Sequence, residues 1–478
     1  MKKTLSLMAI FVAVSNAFAG GLLTNTNQNA AFVRNFAQEG KIDLTSIYAN
    51  PAGGAFLSNG WHLSLNSQTA FQERNIETTF PLFVTNADDP NRTHRFEGKA
   101  KAPVIPSFTV SYNRDKWSVS AHFAIGGGGG KCEFDKGLGS FEATYAGMLA
   151  QKVPAVLPGL LTQGFMQAGM DAATASAIAG TGQYTGYAMN SFMKGRSYHF
   201  GLQLGATYKF AENIAGFLGV RGVYATCNYN GAVSPSIRYT YDVPNAGTMA
   251  GSADLGNYGI ALNCDQTGFG ATLILGADWK IDNHWNVSAK YEAPTRLNLK
   301  NKSEIAIESD EVKAAASSVL GQFEDGEHVR EDIPAILALG VQYSPIEQLR
   351  LSAGYHQFFD KVSTKYLDKQ KFINHNTHEF LIGAEYDACK LITVSASWEI
   401  TRYGLADEFM NDLSFNLSNH MLGAGVRINA TKRCSIDLGY MYTFYNSRDV
   451  VTQTAAGPKT DHYDRKNQTF GIGVNLHI

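Results

Sequence analysis

Alternation with a period of two, repeated along most of the chain, constrains this fold more than any other feature. Trp117, Val119, Ala121, Phe123 and Ile125 alternate with Ser118, Ser120, His122 and Ala124. Phe269, Ala271, Leu273, Leu275, Ala277 and Trp279 alternate with Gly270, Thr272, Ile274, Gly276 and Asp278, and similar runs follow at Phe380–Tyr386, Ile392–Trp398 and Ile436–Phe444. In an extended strand such residues fall on opposite faces. A two-layer sandwich shows this in single segments. Sustained over about fourteen segments from residue 60 onward, with aromatics where segments end, it describes an all-β, closed antiparallel barrel. Its outward row meets lipid and its closure leaves no unpaired edge.

The connections alternate in length. Arg114-Asp115, Ala211-Glu212-Asn213, Asp282-Asn283, Pro345-Ile346-Glu347, Asp387-Ala388 and Ala430-Thr431 read as short turns, and the connections between them are long and polar or glycine-rich. Short periplasmic turns and long external loops are the pattern of outer-membrane barrels. Two of the long loops, about 127–195 and 301–329, carry helical spacing: Leu149, Val153, Leu157, Leu160, Leu161 and Phe165 in the first, and Asp310 to Leu320 in the second, with Asp171 placed to cap a further helix.

Lys2 and Lys3, the apolar run Leu5–Val14, and Ala17 and Ala19 at small-x-small positions read as a secretory signal peptide over 1–19. No later stretch has the roughly 18 consecutive apolar residues of a helical span. With 47 glycines and 12% aromatic residues the composition suits turns and interfacial girdles. A net charge of −2 argues against nucleic acid as a partner. Five cysteines leave at least one unpaired, and none forms a CxxC pair of the kind used for structural zinc. Cys227 and Cys264 flank one expected outer loop and either bridge it or are unrelated thiols; Cys132 has no assigned role.

Catalytic constellations are missing. Gly126–Gly130 followed by Lys131-Cys132 lacks the leading glycine and terminal Ser/Thr of a phosphate loop, and there is no G-x-S-x-G or H-E-x-x-H. His375 and His378 with Glu379 form a cluster, but in a regular strand the two histidines face opposite ways. The reading is therefore a non-enzyme with no metal and no cofactor.

Residues 20–58 show no strand pattern and contain Asn50-Pro51-Ala52 just ahead of the first strand. This resembles the FadL/TodX family of outer-membrane transporters, whose N-terminal hatch plugs a fourteen-stranded barrel. Ala102-Pro103, Trp117–Phe134, Tyr291–Asn301 and Ile333-Pro334 resemble family segments at matching places, so the likeness spans 59–478 as well. It implies passive transport of fatty acids or other hydrophobic small molecules by a monomer in the outer membrane of a Gram-negative cell, in contact with its lipid. Gly126, Gly127 and Gly128 then fall at the kink that opens the family's wall sideways, the bland reading being the start of a loop. Thr226-Cys227-Asn228 stands where basic residues are expected, so no carboxylate anchor is visible there. Leu157, Leu160, Leu161 and Phe165 are candidates for external capture or simply a loop core, and inward-pointing Arg221 for a polar lumen contact. The competing function is a surface receptor or adhesin resting on a plugged barrel.

Overall fold

A computed structural model gives residues 29–85 and 90–478; the expected signal peptide and hatch residues 20–28 lie outside the described residues. Fourteen antiparallel strands close into a barrel. In order they are β1 (Gly60–Thr79), β2 (Thr93–Arg114), β3 (Trp117–Phe134), β4 (Gln183–Ala211), β5 (Ile214–Val243), β6 (Ile260–Lys280), β7 (Trp285–Glu292, resuming at Asn298–Ile307), β8 (His328–Arg330, resuming at Ile336–Ile346), β9 (Leu349–Phe358), β10 (Ile373–Asp387), β11 (Ile392–Leu405), β12 (Asn419–Thr431), β13 (Cys434–Tyr445) and β14 (Gly457–His477). Each pairs with the next, and β14 returns to β1 in unbroken register from His62↔His477 to Thr79↔Thr460. Two short strands, Gly247–Asp254 and Arg448–Thr454, fold back on the loop-side ends of β5 and β14.

The barrel is apolar outside and polar within. Leu65, Leu218, Leu273, Ile382, Leu438 and Ile472 are exposed, while Ser64, Thr109, His122, Gln203, Thr272 and Asp437 are buried. Exposed aromatics bracket that belt, with Trp61, Trp117, Trp279 and Trp285 near the turns and Phe71, Phe269 and Phe380 toward the loops. An outward apolar band between aromatic rows is what a lipid bilayer selects. Among the described residues no helix is long and apolar enough to cross a membrane.

The strands run further beyond this belt than expected. β4 and β5 have 29 and 30 residues, against about 9–11 for a membrane crossing. The regions expected as loops 127–195 and 301–329 thus begin and end in strand. Outside the bilayer both faces of a ladder meet water or other loops, so the apolar–polar contrast that marks a strand fades while the hydrogen bonds continue.

Among the described residues four α-helices accompany the strands: α1 (Ala30–Arg34), α2 (Gly139–Gln167), α3 (Ala172–Ala179) and α4 (Asp310–Leu320). α1 starts where the Asn29 side chain accepts from Phe32 N at 2.9 Å. It lies inside the barrel, where Phe32 and Val33, with Phe36 just beyond it, pack on Leu381, Met421 and Met441. Asp171 caps α3 by accepting from Ala173 N and Thr174 N. Residues 29–57 occupy the turn-side half of the lumen, and a second apolar cluster fills much of the loop-side half, where Phe323, Phe409 and Phe415 fold in from loops onto Ile76, Phe134 and Tyr463.

Candidate functional site

The hatch is fastened by polar contacts to many strands. Asn50 accepts from Gly53 N at 3.1 Å and donates to Lys41 O at 3.1 Å and to Asp278 on β6 at 2.5 Å. Pro51 O accepts from Thr207 on β4 at 3.2 Å, and Ala52 is buried against Phe217 and Ile274. The Asn50-Pro51-Ala52 motif therefore turns the chain and ties it to the wall at once. Arg34 lies 2.5 Å from Glu385 and 2.7 Å from Asp437, Lys41 3.0 Å from Glu385, and Asp43 2.6 Å from Arg427. Arg34, Glu385 and Asp437 are nearly devoid of solvent, so each charge depends on its partner.

Midway along the lumen, Tyr48 of the hatch sits between two cations, its ring centroid 4.5 Å from the Arg221 guanidinium and 4.6 Å from Lys290 Nζ. Arg221 points inward, as its strand parity requires. It donates to both oxygens of Glu292 (2.6 and 3.0 Å) and to Gln203 (2.6 Å), so its charge is already matched. Lys290 donates to Glu292 at 2.7 Å and to Tyr48 O at 2.9 Å. Cavities of about 50 and 20 Å³ flank Tyr48, the first bordered by Glu39, His356 and Glu379, the second by His122, Gly126, His199 and Val223. Both have room for water.

The second cavity ends at a defect in the wall. β3 pairs with β2 up to Ser107↔Ala124 and again from Lys101↔Lys131, with no paired positions between. On the other side it stays on β4 through Gly127↔His199 and Gly130↔Ser197, with two irregularities. Gly128 (φ +107°) and Gly130 (φ +64°) take a backbone region that other residues avoid, and a Cβ on Gly128 would come within 2.2 Å of Ser197 O. A Cβ on Gly126 would meet nothing within 4 Å. Across the gap β2 carries Pro103 and Pro106, which have no N–H for a ladder. The glycine run is thus a stretch of strand detached on one side and bordering an internal cavity. The two prolines of β2 were the further signal for this gap that the glycines alone did not complete.

Solved structures share this architecture, three among them as follows. A Pseudomonas aeruginosa FadL homologue superposes with a TM-score of 0.60 at 14% identity, covering 95% of this chain and 99% of its own. The Pseudomonas putida toluene transporter TodX gives 0.58 at 12%, over 94% and 98%. The Ralstonia pickettii toluene transporter TbuX gives 0.51 at 13%, over 97% and 99%. The chain has the FadL/TodX fold. No protein-family model and no curated protein sequence matches it.

Within that fold several expectations change. Leu157 and Leu161 are only 1% and 5% exposed, and with Leu149 and Val153 they face Phe80, Tyr187 and Ile237 as the core of the outer loops; Phe165 is partly buried against the same core. Leu157 and Leu161 therefore present no exposed surface. The opposite side of α2 is exposed, with Leu160 at 44% and Val156 at 47%, joined by Met166. Cys227 and Cys264 are free, as is Cys132. Cys227 lies opposite Gln266 and Cys264 opposite Tyr229, so the two thiols are diagonal neighbours. Diagonal neighbours lie roughly 7–8 Å apart, their Cβ atoms somewhat less, beyond the about 4 Å between Cβ atoms that a disulfide needs. An irregularity between His375 and His378 breaks the strand parity: both rings lie on the outer side, stacked 6.4 Å apart, while Glu379 turns inward to His356. Among the described residues no three His, Cys, Asp or Glu side chains are placed to hold a metal ion. Tyr48, Lys290 and Glu292 were missed from the sequence; the alternation of β7 marks the last two as inward, but nothing local pairs them with a hatch tyrosine.

Proposed function

We propose that this protein admits hydrophobic small molecules, fatty acids or aromatic hydrocarbons, through the outer membrane of a Gram-negative cell, and releases them sideways between β2 and β3. The observation that carries the reading is the stretch Ile125–Gly130, unpaired with β2 and bordering a cavity, in a barrel whose turn-side half holds residues 29–57. TodX and TbuX, described as toluene transporters, have the same fold. Cargo gathers first on the exposed side of α2 around Val156 and Leu160, because apolar surface gains roughly 25 cal/mol per Å² on leaving water. It then passes among the apolar residues of the loop-side lumen. Displacement of Tyr48 enlarges the cavity at Gly126, and the gap lets the molecule enter lipid without crossing the periplasm. The scheme needs no cofactor and no nucleotide.

The test is uptake of labelled oleate and toluene by cells lacking and expressing the gene. Faster uptake of either with expression supports the reading. Equal uptake of both, together with expression-dependent binding to surfaces or other cells, overturns it in favour of a receptor or adhesin.

A further inference from the structure

Two neighbouring rows of outward side chains, at the loop-side edge of the apolar belt, carry charge in opposite ways. In the row farther from the belt the signs alternate across five strands. Lys466 on β14, Glu73 on β1, Lys99 on β2, Glu133 on β3 and Lys194 on β4 are successive cross-strand partners. A sheet places charges this way when they need only each other, because opposite charges side by side stabilise it and like charges destabilise it. One step nearer the belt, Lys101 on β2 faces Lys131 on β3, and Lys131 faces Arg196 on β4. Three bases stand side by side there with no acid between them.

All three are exposed, while their chain neighbours Ala100, Cys132 and Ser197 are buried on the inward row. Lys131 reaches Glu133 of the alternating row at 2.5 Å, a carboxylate that Lys194 also approaches at 3.7 Å. Among the described residues neither Lys101 nor Arg196 has a carboxylate within 4.0 Å. The row is flanked by Phe71 on β1 and by Asn228 on β5, whose amide already donates to Asp265 at 2.9 Å.

The height of this row is that of lipid headgroups. Phe71, the partner of Lys101, is one of the aromatics that border the belt toward the loops. Turnward of Arg196 on the same outward face come Tyr198 and Phe200, with ring centroids 6.0 Å apart, and then exposed Leu202 and Leu204. Lys101↔Lys131 is also the pair at which β2 and β3 rejoin above the wall gap. Neighbouring strands lie roughly 4.8 Å apart, so one phosphate can be reached from two of them, and a guanidinium can bind two of its oxygens at once.

We propose that Lys101, Lys131 and Arg196 form an outward-facing site for the exposed phosphate of an anionic lipid in the outer leaflet. The acyl chains of that lipid lie against Val104, Phe108 and Ile125 beside the gap. The inference rests on the barrel's place in the outer membrane and not on the nature of the cargo. On the lateral route, cargo enters the membrane alongside this bound lipid.

The test uses the purified barrel in a neutral detergent, mixed with labelled dioleoyl phosphatidic acid or labelled dioleoyl phosphatidylcholine. The measurement is the lipid that co-elutes with the barrel. The intact protein should retain phosphatidic acid about tenfold or more over phosphatidylcholine, as expected for several bases at an anionic headgroup, and the preference should shrink as salt rises. Lys101→Gln, Lys131→Gln and Arg196→Gln together should erase it. Lys99→Gln, Lys194→Gln and Lys466→Gln together remove as many charges from the alternating row and should leave it nearly intact. None of these six side chains is buried, so both triple variants should keep the heat-modifiable barrel. Equal retention of the two lipids by the intact protein, or equal losses in the two triple variants, would overturn the site. Displacement of phosphatidic acid by inorganic phosphate at the same concentration would overturn the lipid as its occupant. Uptake of labelled oleate or toluene is a separate readout, so neither failure touches the transport reading.

Discussion

The two halves of the lumen are closed by different physics. On the turn side, hatch residues Arg34 and Lys41 are held by buried ion pairs to Asp437 and Glu385, and Asp43 by a partly buried one to Arg427. On the loop side, Phe323, Phe409 and Phe415 close the lumen by apolar packing against Phe134, Tyr229 and Tyr463. Ion pairs in a dry interior are directional, and breaking one strands a charge, so they hold one arrangement. Apolar packing is non-directional, and an apolar molecule can replace a side chain in it at little cost. A closure that must stay shut uses the first; one that must admit hydrophobic cargo uses the second.

The largest effect expected from this contrast is at Arg34. Arg34→Ala leaves Asp437 and Glu385 with one fewer partner in a dry site and should cost about 3–5 kcal/mol. Because the barrel hydrogen bonds do not pass through the hatch, the loss should appear as leakage: higher sensitivity of expressing cells to large polar antibiotics, with the heat-modifiable barrel intact. Sensitivity equal to that of the parent protein would break the comparison from the turn side.

Phe415→Leu probes the other half. A roughly volume-conserving apolar change should cost less than about 1.5 kcal/mol and produce no leak. A leak as large as that of Arg34→Ala would mean that the loop-side packing, too, is a fixed seal.

Much of this was legible in the sequence, and the limits have physical causes. Alternation found the strands inside the bilayer because lipid demands an apolar outward face, as at Leu273 and Leu438. It lost the outer ends of β4 (183–195) and β5 (230–243), where Asn230, Ser234 and Arg238 lie on the outer row and the ladder continues without contrast. The hatch was visible from Asn50-Pro51-Ala52 and from the absence of alternation, but its ion pairs join residues as distant as Arg34 and Asp437. The spacing of α2 showed one apolar stripe; which side faced water depended on Phe80 and Ile237, supplied by other segments. Strand parity put Arg221 inward but could not show that Glu292 neutralises it. Nor could it show that Arg74 and Arg465, at the two ends of the barrel sequence, meet across the closing seam.

The smallest expected effect concerns pH. Lys369, in the loop-side segment Tyr366–Phe372, has its pKa drawn down to about 7, chiefly by burial and further by Lys365, with Glu331 opposing. Its unfolded value is about 10.4. Across the interval between these values the detached segment binds more protons, so its attachment should strengthen as pH rises from about 7 to about 10 and stay at its weakest below 7. Hydrogen exchange of residues 360–372, corrected for intrinsic rates, should show this drift, and Lys369→Met should abolish it. An identical drift in Lys369→Met would assign it to another group.

The central claim, exit through the wall between β2 and β3, is tested most directly at Gly126. A Cβ there would meet nothing within 4 Å, so Gly126→Trp should fold, with the indole occupying the gap. The measurement is initial uptake of whichever labelled cargo the parent protein transports, in cells with matched amounts of heat-modifiable barrel. Uptake reduced to the level of cells lacking the gene is the predicted result. Uptake at the parent rate, with the barrel folded and the hatch in place, would contradict the lateral route.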